Sequence, residues 1–150
     1  MQTFLPYPDY EESAKCLDYR RLGKQRVECK QLLLALGVTV GAHVPKKSGW
    51  KNHPATKMWR GYEIELCRYA IVICWEWRNR GYKDELARQF IFAATVNAMS
   101  TESWIGKKPP WLGDDFLHSS HRSNLLRKDP DHYGQFGWEE PDNLPYVWPV

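Results

Sequence analysis

Hydrophobic positions along the chain recur at a helical period from Asp9 onward, and no stretch alternates as a strand would. Asp9 followed by Glu12 is a capping-box variant, with acceptors for two orphan N–H groups at a helix start. The pattern then predicts a helix to Leu36, stopped by Gly37. Gly23 sits inside that helix at a cost in stability, which points to a bend or a close backbone contact. Residues 38–51 carry Gly, Pro and Lys and read as a loop. A second helix starts with Pro54 at its first position, where the missing N–H does no harm. Ala55, Met58, Trp59, Tyr62, Leu66, Tyr69, Ala70, Ile73 and Trp77 keep its period, and Cys67, Ile71 and Cys74 make a second flank apolar. A helix apolar on two faces is the centre of a bundle. Arg78, Arg80 and Gly81 end it with cations and a C′ glycine.

Asp84 can cap a third helix running to about Met99, and the Lys- and Pro-rich stretch from Gly106 to Gly113 reads as a loop. A fourth helix is expected from Asp114 to Lys128, closed by Asp129-Pro130. The last twenty residues have no period but contain Tyr133, Phe136, Trp138, Tyr146 and Trp148, so an ordered irregular tail packed on the bundle is expected. The pattern as a whole predicts an all-α fold, a compact helical bundle forming one domain over residues 1–150.

Charge sharpens this picture. All 21 Lys and Arg precede Asp129, whereas five of the 18 acids (Asp129, Asp131, Glu139, Glu140, Asp142) follow Lys128, so a formal +3 chain has a +8 body. Between Glu28 and Glu63 there are six basic residues and no acid. Such a body suits a polyanionic partner, the plainer alternative being a solvated basic surface. Four cysteines without C-x-x-C spacing read as reduced core residues. With neither a leader pattern nor an apolar run of spanning length, no membrane partner and a cytoplasmic location are expected.

Two places could carry chemistry. On the first helix Arg21, Lys24 and Glu28 fall on one narrow stripe, placing one carboxylate among cations. There it could stabilise a positively charged intermediate or move protons, or simply form a surface pair with Lys24. Farther on, His118, His121, Arg122, Arg127 and Lys128 form an acid-free cluster. The i,i+3 histidines could ligate a metal, but no third ligand is evident, and phosphate contact fits the cluster better. His53 could cap the following helix or help to bind an anion.

Three strings bring these residues together: Tyr19-Arg20-Arg21-Leu22-Gly23-Lys24-Gln25-Arg26-Val27-Glu28, then His53-Pro54 with Met58-Trp59-Arg60-Gly61-Tyr62, and finally His121-Arg122-Ser123-Asn124-Leu125-Leu126-Arg127-Lys128-Asp129-Pro130. In order and over nearly the whole chain they resemble the pyrimidine dimer DNA glycosylase family, most closely its bacterial and phage members. The resemblance implies a compact helical fold and a two-step reaction that uses no metal or cofactor. An N-terminal α-amine attacks the deoxyribose anomeric carbon, and β-elimination from the resulting imine nicks the strand, assisted by a glutamate of the first helix. DNA is kinked and a nucleotide extruded. Two positions depart from the family pattern. A small residue's amine is normally exposed by removal of Met, whereas Gln2 should retain Met1. The family glutamate directly follows a Tyr-Arg pair, whereas Arg21 stands there and Glu28 lies seven residues on, roughly 10 Å along a helix.

The resulting expectation is a monomeric enzyme on double-stranded DNA, a glycosylase with associated abasic-site lyase activity on damaged or modified pyrimidines. Glu28 would be the catalytic carboxylate and Met1 or Lys24 the amine. Arg20, Arg21, Arg26, His53, His121, Arg122, Arg127 and Lys128 would contact DNA, with Tyr133 or a nearby aromatic stacking on an unpaired base. The alternatives are an enzyme that modifies a pyrimidine in DNA, as phages do, and a non-catalytic binding or inhibitory module on the same scaffold.

Overall fold

The computed structural model describes residues 1–100 and 107–150. Its α-helices are α1 (Tyr10–Cys16), α2 (Tyr19–Ala35), α3 (Pro54–Trp59), α4 (Glu63–Asn79), α5 (Ala87–Ser100), α6 (Asp115–Lys128) and α7 (Pro130–Tyr133). Short 3-10 turns cover Gly49–Asn52 and Gly134–Phe136, and no strand occurs among the described residues. The fold is all-α. As its two apolar flanks predict, α4 is the hub, packing on α1, α2 and α5. Of the loop expected before the fourth helix, Gly106 lies outside the described residues.

Two expected helices are each broken in two. The first stops at Leu17, and α2 restarts because Asp18 caps it, its carboxylate accepting the Arg21 N–H at 3.3 Å. The Tyr133 hydroxyl donates to the same carboxylate at 2.5 Å. The second breaks at Gly61, which adopts φ +86°, a left-handed conformation natural to glycine, and donates its N–H to Glu63. Periodicity hid both breaks, since the residues on either side, Leu17 and Leu22 or Trp59 and Leu66, fill one core. The third expected helix, α5, begins at Ala87, with Asp84 just ahead of it accepting the Ala87 N–H at 2.8 Å, and α6 is capped by Asp114, where the fourth helix is expected to start.

Before α1 the chain is neither helix nor strand, yet Gln2 to Leu5 are buried. Amide and carbonyl groups in such a place need partners, and side chains of three helices supply them. Gln25 of α2 accepts the Phe4 N–H at 3.0 Å, and His121 Nδ1 of α6 accepts the Leu5 N–H at 2.9 Å. The Leu5 carbonyl meets His118 Nδ1 at 2.8 Å, and the Phe4 carbonyl accepts from the Tyr69 hydroxyl of α4 at 2.7 Å. The C-terminal tail uses the other side of α6 in the same way. Ser120 and Ser123 accept the N–H groups of Val147 and Leu144, while Asn124 donates to the Leu144 carbonyl. Helix α6 is therefore polar on buried faces, and the aromatic tail is ordered against it.

Gly23 marks a close approach. A Cβ there would lie 2.8 and 2.9 Å from ring atoms of Trp77. That ring cannot swing away, because Tyr82 stacks on it at 4.1 Å, Arg26 lies 5.2 Å from its centre, and its N–H donates to the Lys83 carbonyl. Helix propensity favours alanine over glycine by about 1 kcal/mol, while overpacking costs about 1–3 kcal/mol. Gly23→Ala should therefore lower unfolding stability by up to about 2 kcal/mol in urea titrations. A variant as stable as the parent would mean that the ring yields.

Candidate active site

The exposed side of α2 and the first residues of the chain wall a cavity of about 860 Å³. Met1, Gln2, Lys24, Gln25 and Glu28 line one part, with Tyr146 of the tail closing over it. Asp18, Arg20, Arg21, Arg80, Lys128 and His132 line the rest. Three carboxylates line it, Asp18, Glu28 and Asp129, and Glu28 is the one that the helical stripe of Arg21, Lys24 and Glu28 places among cations. Glu28 is nonetheless no surface residue. It is 8% exposed, and its second oxygen is held by Gln25. Lys24 stands 3.7 Å from the first oxygen, with 74% of its own side chain exposed, so the expected i,i+4 pair exists but only half of it is on the surface.

Gln25 ties this carboxylate to the start of the chain. Its amide nitrogen donates to the Gln2 carbonyl at 2.8 Å and to Glu28 at 2.9 Å. Its oxygen accepts from Phe4 N–H at 3.0 Å and stands 2.9 Å from the Tyr69 hydroxyl. A donor on one side and an acceptor on the other leave the amide a single orientation. Sequence reading passed over Gln25; its only signal is an uncharged polar side chain at the edge of the basic stripe.

The other expected site residues divide by burial. Arg20, Arg21, Lys24 and Lys128 line the cavity, and Arg127 is exposed beside Lys128. Burial and the neighbouring Arg21, Arg127 and Lys24 hold the Lys128 ammonium below its usual pKa. His53 caps α3, its Nδ1 accepting the Ala55 N–H at 3.0 Å, and its ring lies between Trp50 and Trp148. Burial, then the positive charge of the Met1 amine, lower its pKa, while Glu28 opposes them. His53 thus senses both groups of the cavity.

Four of the expected DNA contacts have partners inside the fold. His121 is fully buried and binds Leu5, and Tyr133, equally buried, binds Asp18, so neither ring presents a face to DNA. Arg26 is spent on Asp84, donating from Nε at 2.8 Å, and Arg122 on Glu140 and the Pro6 carbonyl. The paired histidines of α6 are likewise part of the scaffold. His118 accepts the Gly113 N–H at Nε2, which leaves Nδ1 to donate to Leu5. Among the described residues no cluster of three or more His, Cys, Asp or Glu could hold a metal ion.

The family model described as pyrimidine dimer DNA glycosylase matches residues 1–90, more than half of the chain. The chain belongs to that family. No curated protein and no solved structure matches it. Membership in the pyrimidine dimer DNA glycosylases makes DNA the substrate. The matched span takes in the buried N-terminal segment, α2 with Gln25 and Glu28, and His53. The remaining wall of this glycosylase cavity, Lys128, Asp129, His132 and Tyr146, is built by the part of the chain beyond it. No helix among the described residues is long and apolar enough to cross a membrane.

Burial of His121 gives the scaffold of this glycosylase a pH dependence. Burial, and then the nearby His118, push its pKa down to about 3, whereas the unfolded chain titrates near ~6.5. Between those values the unfolded state binds the extra proton, so stability is full above about pH 6.5 and falls as pH drops toward 3. His118, also held low chiefly by burial, adds in the same direction. The slope of unfolding free energy should approach ~1.4 kcal/mol per pH unit for each such histidine. His121→Asn, which can keep an acceptor near Leu5, should flatten it by about one proton. An equal slope in the variant would assign the acid sensitivity elsewhere.

Proposed function

We propose that the chain is a DNA glycosylase with associated abasic-site lyase activity on damaged or modified pyrimidines, in which the Met1 α-amine is the nucleophile and Glu28 the catalytic carboxylate. One observation carries this reading: Met1 and Glu28 line the same cation-rimmed cavity, and one side chain, Gln25, bonds both to Glu28 and to the Gln2 carbonyl next to Met1. The displacement of the carboxylate by seven residues along the helix therefore does not remove it from the chain terminus.

In the first step the amine nitrogen bonds to C1′ as the bond from C1′ to the pyrimidine nitrogen breaks, and the base leaves with a proton. Loss of a proton from the attached nitrogen, with opening of the sugar ring, gives an imine. Removal of a C2′ proton then expels the 3′ phosphate by β-elimination, and water releases the product from the amine. Glu28 is placed to move these protons and to stabilise the cationic sugar. The cavity-lining Arg20, Arg21 and Lys128 supply positive charge for flanking phosphates. Between the two candidate amines, an α-amine with a reference pKa near ~8 offers more free base than a lysine near ~10.4. Lys24, moreover, is turned to solvent beside the carboxylate.

Reductive trapping with borohydride on abasic DNA tests the assignment. Intact mass should show Met1 retained, and the trapped adduct should lie on the Met1 peptide. Blocking the terminus by acetylation should abolish trapping. Adduct on Lys24 would move the chemistry to α2, and no adduct on either amine would make the chain a DNA-binding module or a different base-directed enzyme. Glu28→Gln should slow nicking about 100-fold or more while leaving DNA affinity within about threefold. Nicking at the parental rate would reduce Glu28 to an ion-pair partner of Lys24.

A further inference from the structure

A second concavity lies farther along α2. About 300 Å³ in volume, it is lined by Gln31, Leu34 and Ala35 of α2 and by the loop carrying Val44, Lys46, Lys47 and Trp50. Gln31 is three residues beyond Glu28, about 4.5 Å along the axis, so the two concavities draw on neighbouring turns of α2. An aromatic chain joins the two places as well. Trp50 meets His53 at 5.3 Å, His53 meets Trp148 at 5.8 Å, and Trp148 meets Tyr146, which lines the cavity, at 5.5 Å.

Trp50 is 40% exposed, and its backbone is fixed on both sides. Its N–H donates to the Ser48 hydroxyl at 3.1 Å, and its carbonyl accepts from the Thr56 hydroxyl at 2.6 Å. A ring carried on a fixed backbone loses less freedom when a flat ligand stacks on it. Exposed tryptophan alone says little about the ligand, and Trp75 shows why. At 53% exposure it borders a groove in which Lys15 faces Glu11 and Glu76, the latter paired with Arg80, so no excess of positive charge surrounds it. Trp50 instead sits among Lys46, Lys47 and Lys51, in the stretch from Glu28 to Glu63 that lacks any acid. No carboxylate pairs with these three lysines among the described residues.

We propose that this groove is a second DNA subsite, in which Trp50 stacks on an unpaired base and Lys46 and Lys47 hold the phosphates beside it. Apolar Leu34, Ala35 and Val44 form the floor for base and sugar. A strand whose reacting sugar lies at Glu28 and which follows α2 would bring a base toward Trp50, so the subsite would hold open the distorted duplex that the reaction needs. The proposal rests on DNA as substrate and not on the amine chemistry.

Binding to a duplex with a tetrahydrofuran abasic analogue, which cannot form an imine, tests it separately from catalysis. Trp50→Ala should weaken binding about tenfold, the scale of one lost stacked base, while Trp50→Phe stays within about threefold. The double variant Lys46→Ala, Lys47→Ala should reduce the slope of log affinity against log salt by about two ions. Circular dichroism would confirm that each variant is folded, and the phenylalanine and lysine variants serve if Trp50→Ala is not. Parental affinity in folded Trp50→Ala, or an unchanged salt slope in the lysine variant, overturns the subsite while DNA binding by the parent stands. Failure of the parent itself to bind the duplex would overturn the DNA reading as well. A protein ligand that competes at the groove without any effect of these variants on DNA would assign the surface to that partner and overturn the proposal.

Discussion

The molecule is organised around the satisfaction of a buried backbone that belongs to no helix and no sheet. Residues 2–5 run through the interior, and each unpaired amide or carbonyl there would cost about 1–3 kcal/mol. Gln25, Tyr69, His118 and His121 answer those groups from three different helices. This explains why helix α6 has polar residues where a bundle would ordinarily bury leucine. It also explains why its two histidines stay neutral: a charged ring would lose the acceptor that Leu5 or Gly113 requires.

The same hydrogen bonds fix the geometry of the cavity. A chain terminus is ordinarily the least ordered part of a protein. Here Gln2 to Leu5 are buried, and Met1 lines the cavity beside α2. Gln25 carries that order one step farther by bonding to Glu28, and Glu28 in turn stands near the exposed ammonium of Lys24. Position is thereby set by neutral hydrogen bonds in the interior, and charge is supplied by side chains at the rim. Separating the two tasks lets the rim remain solvated and available while the interior stays rigid.

Much of this architecture was legible in the sequence, and the failures have common causes. Helix type and number of faces followed from period, as α4 illustrates, and Asp114 and Asp84 marked helix starts because a cap is a local interaction. The breaks at Asp18 and Gly61 escaped because apolar period continues across them when both sides serve one core. The stripe of Arg21, Lys24 and Glu28 was readable, since helical geometry alone places those residues together. The fates of His121, Tyr133, Arg26 and Arg122 were not, because each is decided by a partner far away in sequence: Leu5, Asp18, Asp84 and Glu140. A basic or aromatic residue looks the same in a sequence whether it is spent inside the fold or held ready at its surface.

That last distinction bears on how net charge should be read. Of the cations that first suggested a polyanion, Arg26 and Arg122 neutralise acids within the structure, as do Arg68, Arg80 and Arg88. They contribute nothing local to attraction, since each is matched within hydrogen-bonding distance. Two groups of the remaining cations lie near α2. Arg20 and Lys128 line the cavity without a paired carboxylate among the described residues, and Lys46, Lys47 and Lys51 stand likewise around the groove beyond it. A modest formal charge of +3 therefore conceals two local groups of unpaired cations, one at the cavity and one at the groove. The acids of the C-terminal segment do not cancel it, because Glu140 already answers Arg122 and the others lie elsewhere on the surface or at the margin of the cavity. Field at a site depends on which charges are left unmatched near it, and here those charges follow the helix that carries the candidate carboxylate.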